Sequence, residues 1–520
     1  MVQKVAVIGA GPCGLSSIKA CLDEGLEPTC FESSDDIGGL WRYKEKLVPG
    51  RTNIYQCVII NSSKEMMAFS DFPPPAELPN NMHHTEKSKY LLHKQGDFHQ
   101  IDLKCLSQTK VVGLRRRPDF DVTGQWDVET ETADGRRQTH VFDAVMVCTG
   151  HYTQPHLPLS HFSGIESFKG RYFHSWEYRN AKGLEGKRVV VIGFGNCGCD
   201  IAVDISRVAE RVYLSTRSGA WVVGRVGPGG LPFDAAWNSR LVVTLASLFP
   251  TWSNWMLERK LNEFFDHKLY VTAKKKKKCF WAQIPVINDD LPGRIISGRI
   301  QVKPNVKEFR ETSVVFTDGS VDAVVFATGY NYSFPFLPPD LQAKSDYRLR
   351  LYKHVIPPTL AHPTLAVVGF IHGLGAINSM AEMQARWATR VFKGRHRNPL
   401  QVDVIPYTDS LAEQVGSKPN ILQLLFTEPT LALQVVLGPR TSYQYRLSGP
   451  GKWAGARQAI FTQKQRITRP FRTRVVSEEP GNEASSILSI LLAFIAGAAL
   501  LCYLIYNWHL PFLPSVAPQL

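Results

Sequence analysis

Two glycine-rich hexapeptides have the spacing needed to hold nucleotide diphosphates. Gly9-Ala10-Gly11-Pro12-Cys13-Gly14 and Gly193-Phe194-Gly195-Asn196-Cys197-Gly198 both read GxGxxG. In such a loop the first glycine makes a tight turn and the second lets the backbone approach a pyrophosphate. The third lets the following helix pack closely on its strand. The helix then presents unsatisfied N–H groups and the positive end of its dipole to the phosphates. Cys199 and Asp200 extend the second candidate set into its helix.

The residue closing the next strand separates the two ligands. Glu32 stands 18 residues after Gly14, where a carboxylate accepts both hydroxyls of an unphosphorylated ribose. The second loop has no such acid. Nineteen residues after Gly198 stands Arg217, a cation suited to a 2′-phosphate, which favours NADPH over NADH there.

Both motifs require strand, turn, helix and strand. Lys4 to Ile8 is a short run rich in β-branched residues without polar alternation, as in a parallel strand buried on both faces. A helical pattern follows through Leu15, Ile18 and Leu22, Gly25 ends it, and Pro28 to Glu32 reads as a second strand. The grammar recurs at Arg188–Ile192 and Arg211–Ser215. The expected fold is α/β with two Rossmann-like dinucleotide-binding domains, a helical insertion and a C-terminal transmembrane helix.

Two similar strand-plus-glycine segments, Asp143 to Gly150 and Asp322 to Gly329, mark where the chain would cross between the domains. They place a first domain at 1–155 and 330–445, and a second at 156–215 and 291–329, with the insertion at 216–290. Within the insertion, Lys274 to Lys278 reads as a solvated lysine loop.

The chain has 520 residues and a net charge of +14. Nine lysines or arginines and no acids fall between Arg440 and Arg474. We read 446–486 as a basic membrane-proximal segment and Ile487 to Tyr506, twenty residues without a charge, as a transmembrane helix. That length crosses about 30 Å of hydrocarbon. The preceding basic residues would keep the body on the cytosolic side, and no nucleic-acid-reading module is expected. The run Val5–Gly9 is too short for the apolar core of a signal peptide. Ten cysteines without a CxxC pair fit buried thiols in a reducing compartment, with no metal site.

Between the glycine loops lies Phe168-x-Gly170-x-x-x-His174-x-x-x-Tyr178. This FxGxxxHxxxY string, between two dinucleotide motifs, resembles the flavin-containing monooxygenases of vertebrate microsomes. Residues 25–41 (GLEPTCFESSDDIGGLW), 61–73 (NSSKEMMAFSDFP), 288–298 (NDDLPGRIISG) and 449–453 (GPGKW) add to the likeness. The chain departs from the family pattern at Trp176, where a basic residue is usual, and in shorter segments after Lys393 and before Val321.

The resemblance implies FAD in the first fold and NADPH in the second. It implies O2-dependent oxygenation of soft nitrogen or sulfur atoms in small lipophilic compounds, through a C4a-hydroperoxyflavin. Baeyer–Villiger oxidation of ketones, release of H2O2 and an inactive nucleotide-binding scaffold stay open as alternatives. It places Gly39, Leu40 and Trp41 along the flavin, and Ile60, Asn61 and Ser62 at its reactive edge with Asn61 catalytic. His174 is implied to be structural. Location at the endoplasmic reticulum membrane follows from the same likeness, and a homo-oligomer is compatible with everything read so far.

Overall fold

The computed structural model describes residues 2–97, 105–270, 280, 285–316, 319–342, 349–371, 375–394 and 404–471. The chain divides into two compact units, Met1–Pro470 and Phe471–Leu520. The second, with the apolar run 487–506, lies outside the described residues apart from Phe471. Among the described residues no helix is long and apolar enough to cross a membrane. The lysine run 274–278 also lies outside them.

A five-stranded parallel sheet carries the first glycine loop. Its spatial order is Leu365–Val367, Ala144–Val147, Lys4–Ile8, Glu27–Phe31, Cys105–Leu106. Alternation along the central strand divides two cores. Val5 and Val7 join the Pro12–Asp23 and Ile377–Phe392 helices on one face. Ala6 and Ile8 join Trp126, Val128 and Phe142 of an antiparallel three-stranded sheet on the other. Each buried Val or Ile contributes about 1.5–3 kcal/mol, which is why a strand covered on both faces shows no polar alternation.

The second sheet is built likewise, in the order Ile300–Lys303, Arg211–Ser215, Arg188–Ile192, Ala323–Phe326, Arg171–His174, all parallel. In both sheets the strand before the glycine loop lies centrally, with its sequence successor on one side and a much later strand on the other. The loop thus sits at a topological switch point, where open α/β sheets bind ligands.

The described residues of 216–290 are mainly helical. Strands Val222–Val223 and Val286–Ile287 pair in parallel around helices Phe233–Trp237, Arg240–Leu248, Pro250–Phe264 and His267–Tyr270. The stretch read as a basic membrane-proximal segment, 446–486, includes two arginines engaged inside the fold. Residues Ala456–Thr468 form a helix, and Arg466 clamps the fully buried Glu65 through Nε at 2.8 Å and Nη2 at 2.9 Å. Arg446, also buried, meets Glu382 at 3.2 Å and Asp71 at 3.3 Å. These two charges neutralise buried carboxylates and are not available to lipid, which narrows the expectation for 446–486.

Candidate active site

At the first loop the chain leaves Ile8 through Gly9, whose φ of +100° favours glycine. A Cβ on Gly9 would lie 2.9 Å from the Cys148 carbonyl oxygen, and one on Gly14 only 1.9 Å from that of Gly9. Gly11 caps the helix with no side-chain hydrogen bond, and Pro12 fills the first helical position, where a missing N–H costs nothing. A turn leans against this loop. The Gly38 amide donates to the Ala10 carbonyl at 3.0 Å, and a Cβ on Gly39 would meet Gly11 Cα at 2.9 Å. Leu40 and Trp41 complete that turn, and Trp41 packs on the cluster of Ile60, Met67 and Met82.

Glu32 is buried and braces the loop itself. Its Oε2 accepts from the Ala10 amide and its Oε1 from the Ser34 amide, each at 2.8 Å. A carboxylate has about four lone-pair sites, so ribose hydroxyls can still be accepted. Burial pushes the Cys13 thiol up to about 12, and its sulfur fills the space beside Gly369, where an added Cβ would approach it to 2.4 Å.

The second loop repeats the architecture. Gly193 has φ +121°, and a Cβ there would lie 2.2 Å from the Ala327 oxygen. One on Gly198 would lie 2.1 Å from the Gly193 oxygen. A Cβ on Gly195, the uncapped helix start, meets nothing within 4 Å. The Asn196 side chain ties the helix start to the insertion, its Oδ1 accepting from the Ile287 amide at 2.8 Å. Asp200 accepts from Tyr55 Oη at 2.8 Å and Asn288 Nδ2 at 2.7 Å, and burial raises its carboxyl above the ordinary range. Burial also holds the Cys197 thiol up at about 11, and Cys199 is packed in the core. Arg217 is exposed in the turn after Arg211–Ser215.

The third part is Ile60-Asn61-Ser62. Ile60 is buried, and its amide donates to the Met82 carbonyl at 2.9 Å. Asn81 Nδ2 donates to the Ile60 and Asn61 carbonyls at 3.1 and 3.2 Å. The Ser63 amide donates at 2.7 Å to Asp234, whose carboxyl is raised by burial in the insertion. Half-buried between these fixed points, Asn61 offers its Oδ1 to Arg225 Nη2 at 2.8 Å. Arg225 also binds Asp289 through Nη1 at 2.7 Å and through its amide at 2.6 Å. Asp289 follows Asn288, so contacts run from the second glycine helix to Asn61.

His174 is buried at the end of its strand. Its Nδ1 accepts from the Trp176 amide at 3.0 Å, while Glu177 accepts from the His174 amide at 3.0 Å. Burial lowers its pKa from 6.5 to about 4, so the ring is neutral near pH 7. Trp176 reaches back to the Arg51 carbonyl through Nε1 at 2.8 Å, joining this turn to the loop that precedes Asn61.

A sequence profile described as "FMO-like: Flavin-binding monooxygenase-like" matches residues 2–405 and 395–506. The chain belongs to this family. The two matched spans meet within the short segment after Lys393. Dimethylaniline monooxygenase 2 (N-oxide-forming) of Rattus norvegicus is 47% identical, aligned over 94% of this chain and 97% of its own length. Flavin-containing monooxygenase 5 of Homo sapiens is also 47% identical, over 95% and 98%. Among solved structures, the S-allyl-L-cysteine S-oxygenase of Allium sativum superposes with a TM-score of 0.57 at 21% identity, covering 96% of this chain and 99% of that one. At that identity the likeness concerns the fold.

For this flavin-binding monooxygenase-like chain, the structure gathers the first loop, the Gly39–Trp41 turn and Ile60–Ser62 around Trp41, and sets the second loop against Tyr55. Arg217 is exposed two residues beyond Ser215, whose carbonyl accepts from the Gly193 amide of the second loop at 3.1 Å. Sequence reasoning missed Arg225, Asp289, Asp234 and Tyr55. A faint signal for Arg225 was its place in a glycine-rich stretch, Gly224 to Gly230, directly after a β-branched pair.

Proposed function

We propose that this chain is an NADPH- and O2-dependent flavoprotein monooxygenase acting on soft nitrogen or sulfur atoms of small lipophilic compounds. The observation that carries this reading is the pair of open glycine loops, one braced by Glu32 and the other followed by Arg217, with Asn61 between their domains. Residues 1–155 and 330–445 form the FAD-binding domain, and 156–215 and 291–329 the NADPH-binding domain.

The residues fit those groups. A Cβ on Gly39 would press to 2.9 Å on Gly11 Cα, so that turn lies close against the loop, and the uncapped helix starting at Pro12 offers its N–H groups to a pyrophosphate. Gly195 leaves open space at the second helix start for the pyrophosphate of NADPH. The flavin supplies electron transfer and oxygen activation when bound. The protein binds, orients and excludes water. Gly9, Gly11 and Gly14 with Ala10, Pro12 and Cys13 hold the FAD diphosphate, Glu32 its ribose, and Gly39, Leu40 and Trp41 its ring system. Gly193, Gly195, Asn196 and Gly198 hold the NADPH diphosphate and Arg217 its 2′-phosphate, with Cys197, Cys199 and Asp200 supporting that helix. Asn61 presents an uncharged amide to the reacting edge, flanked by Ile60 and Ser62.

The thiols serve no redox role in this account, because burial keeps Cys13 and Cys197 protonated. The relatives named for N-oxide formation favour amine substrates. A ketone substrate is the second reading, the alternative that the sequence leaves open.

The run 487–506 supports an anchor in the endoplasmic reticulum membrane with the body in the cytosol. Truncation before Ile487 should release the protein from washed membranes. Full-length protein that leaves membranes in high salt would contradict the anchor. The test of the function is turnover of tertiary amines, thioethers and a cyclic ketone, with product, NADPH and H2O2 measured together.

A further inference from the structure

We propose that Arg225, from the insertion, is a positioning residue that sets the orientation of the Asn61 amide and couples it to occupancy of the second nucleotide fold. This inference rests on the reading of that fold as a pyridine-nucleotide site.

A carboxamide has one oxygen and one nitrogen end of nearly equal shape, so a lone asparagine at a site can present either. At Asn61 the choice is made by a cation. Arg225 Nη2 donates to Oδ1 at 2.8 Å and to the Ile59 carbonyl at 3.2 Å. A guanidinium has donors only, so the amide nitrogen cannot take the oxygen's place there. The two N–H bonds of Nδ2 are thereby left for a ligand.

Arg225 is itself held. Its side chain is 10% exposed, and Asp289 grips both its guanidinium and its backbone amide. Its Nε is buried with no partner among the described residues. A buried charged donor left unpaired is a cost, so a role in stability alone accounts poorly for this arginine.

The contacts that fix Arg225 continue into the second fold. Ile287, Asn288 and Asp289 are consecutive. Ile287 donates to Asn196, in the second glycine loop, and Asn288 donates to Asp200 one turn further along that helix. Asp200 is the acceptor for Tyr55, six residues before Asn61 on the first fold. One short segment therefore carries both the wall of the second nucleotide site and the clamp on Asn61. A nucleotide that steadies the loop at Asn196 steadies the clamp, and by linkage a correctly held Asn61 strengthens nucleotide binding by the same factor.

The test is a double-mutant cycle read as the dissociation constant of NADP+ for the oxidised, flavin-loaded protein, followed by flavin absorbance. Arg225→Met and Asn61→Ala should each weaken NADP+ binding about tenfold, the scale of a lost charge-assisted hydrogen bond. The double variant should be no weaker than Asn61→Ala within about twofold, because Arg225 acts through Asn61. Arg225→Lys keeps a donor within reach of Oδ1 and should recover most of the loss. Asp289→Asn should weaken binding in the same direction. If Arg225→Met fails to fold, the same cycle is run with Asp289→Asn in its place.

Additive losses, or wild-type NADP+ affinity in Arg225→Met or, where that variant fails to fold, in Asp289→Asn, would overturn the proposal. A wild-type protein that binds flavin but no NADP+ at millimolar concentration would overturn the reading of the second fold instead.

Discussion

Tyr55 Oη donates to Asp200 at 2.8 Å, joining residues 145 apart in sequence. Tyr55 belongs to the segment that leads into Asn61, and Asp200 to the helix that begins at the second glycine loop. The hydroxyl meets a carboxyl that burial has raised, so the pair sits in a dry region where electrostatic contacts are strong. Tyr55→Phe should leave flavin content near normal and raise the KM for NADPH severalfold. Unchanged KM with lowered thermal stability would make the contact purely structural.

The two kinds of glycine in one motif should respond differently. Gly14→Ala places a methyl 1.9 Å from the Gly9 carbonyl, and relieving that overlap costs about 1–3 kcal/mol. The flavin-to-protein ratio of the purified variant should fall. Gly195→Ala adds a methyl to open space and should fold normally with full flavin, yet bind NADPH poorly. Equal loss of flavin in both variants would contradict the assignment of the second loop.

Arg217→Ala should raise the KM for NADPH by about tenfold or more and leave that for NADH nearly unchanged, since only NADPH carries the 2′-phosphate. Its exposed position makes a folding defect unexpected. Parallel losses with both coenzymes would assign Arg217 another role.

The glycine loops and their parallel sheets were legible in the sequence because their constraints are local. Gly9 needs a positive φ, Gly14 needs the absence of a Cβ, and a strand covered on both faces has no polar residues to spare. Arg225 was not legible, since its partners Asn61 and Asp289 lie 164 and 64 residues away and an ion pair leaves no periodic trace. Arg446 and Arg466 looked like surface charge for the same reason. Their buried acids, Glu382 and Glu65, are remote in sequence, so these two charges are internal clamps, whereas Lys452, Arg457, Lys464 and Arg469 of the same stretch are exposed.

His174 makes the fold acid-sensitive. Its folded pKa, near 4, is below the unfolded value of 6.5, because burial disfavours the charged ring. The unfolded chain therefore binds the extra proton between those values, and stability present above pH 6.5 is lost as pH falls toward 4. His174→Gln should lower the thermal midpoint at pH 7.5, where the Trp176 amide loses its ring acceptor, and flatten the decline between pH 6.5 and 4. An unchanged slope over that window would show that other groups carry the acid sensitivity.

Asn61→Asp separates positioning from fold. The new carboxylate keeps the size and still accepts from Arg225, so flavin content should stay near normal. It removes the Nδ2 donor and adds a negative charge beside the reacting edge. Substrate oxygenation should fall at least tenfold while the remaining NADPH oxidation diverts to H2O2. Wild-type coupling in this variant would remove Asn61 from the active site.

The most direct measurement of the whole account is the fate of oxygen itself. Purified full-length protein, loaded with FAD, is supplied with NADPH, ¹⁸O2 and N,N-dimethylaniline, and the product is weighed by mass spectrometry against NADPH consumed. One ¹⁸O atom is expected in each N-oxide formed, with a product yield close to the NADPH oxidised. NADPH oxidation that yields only H2O2, or no oxidation by a protein that holds its flavin, would contradict it.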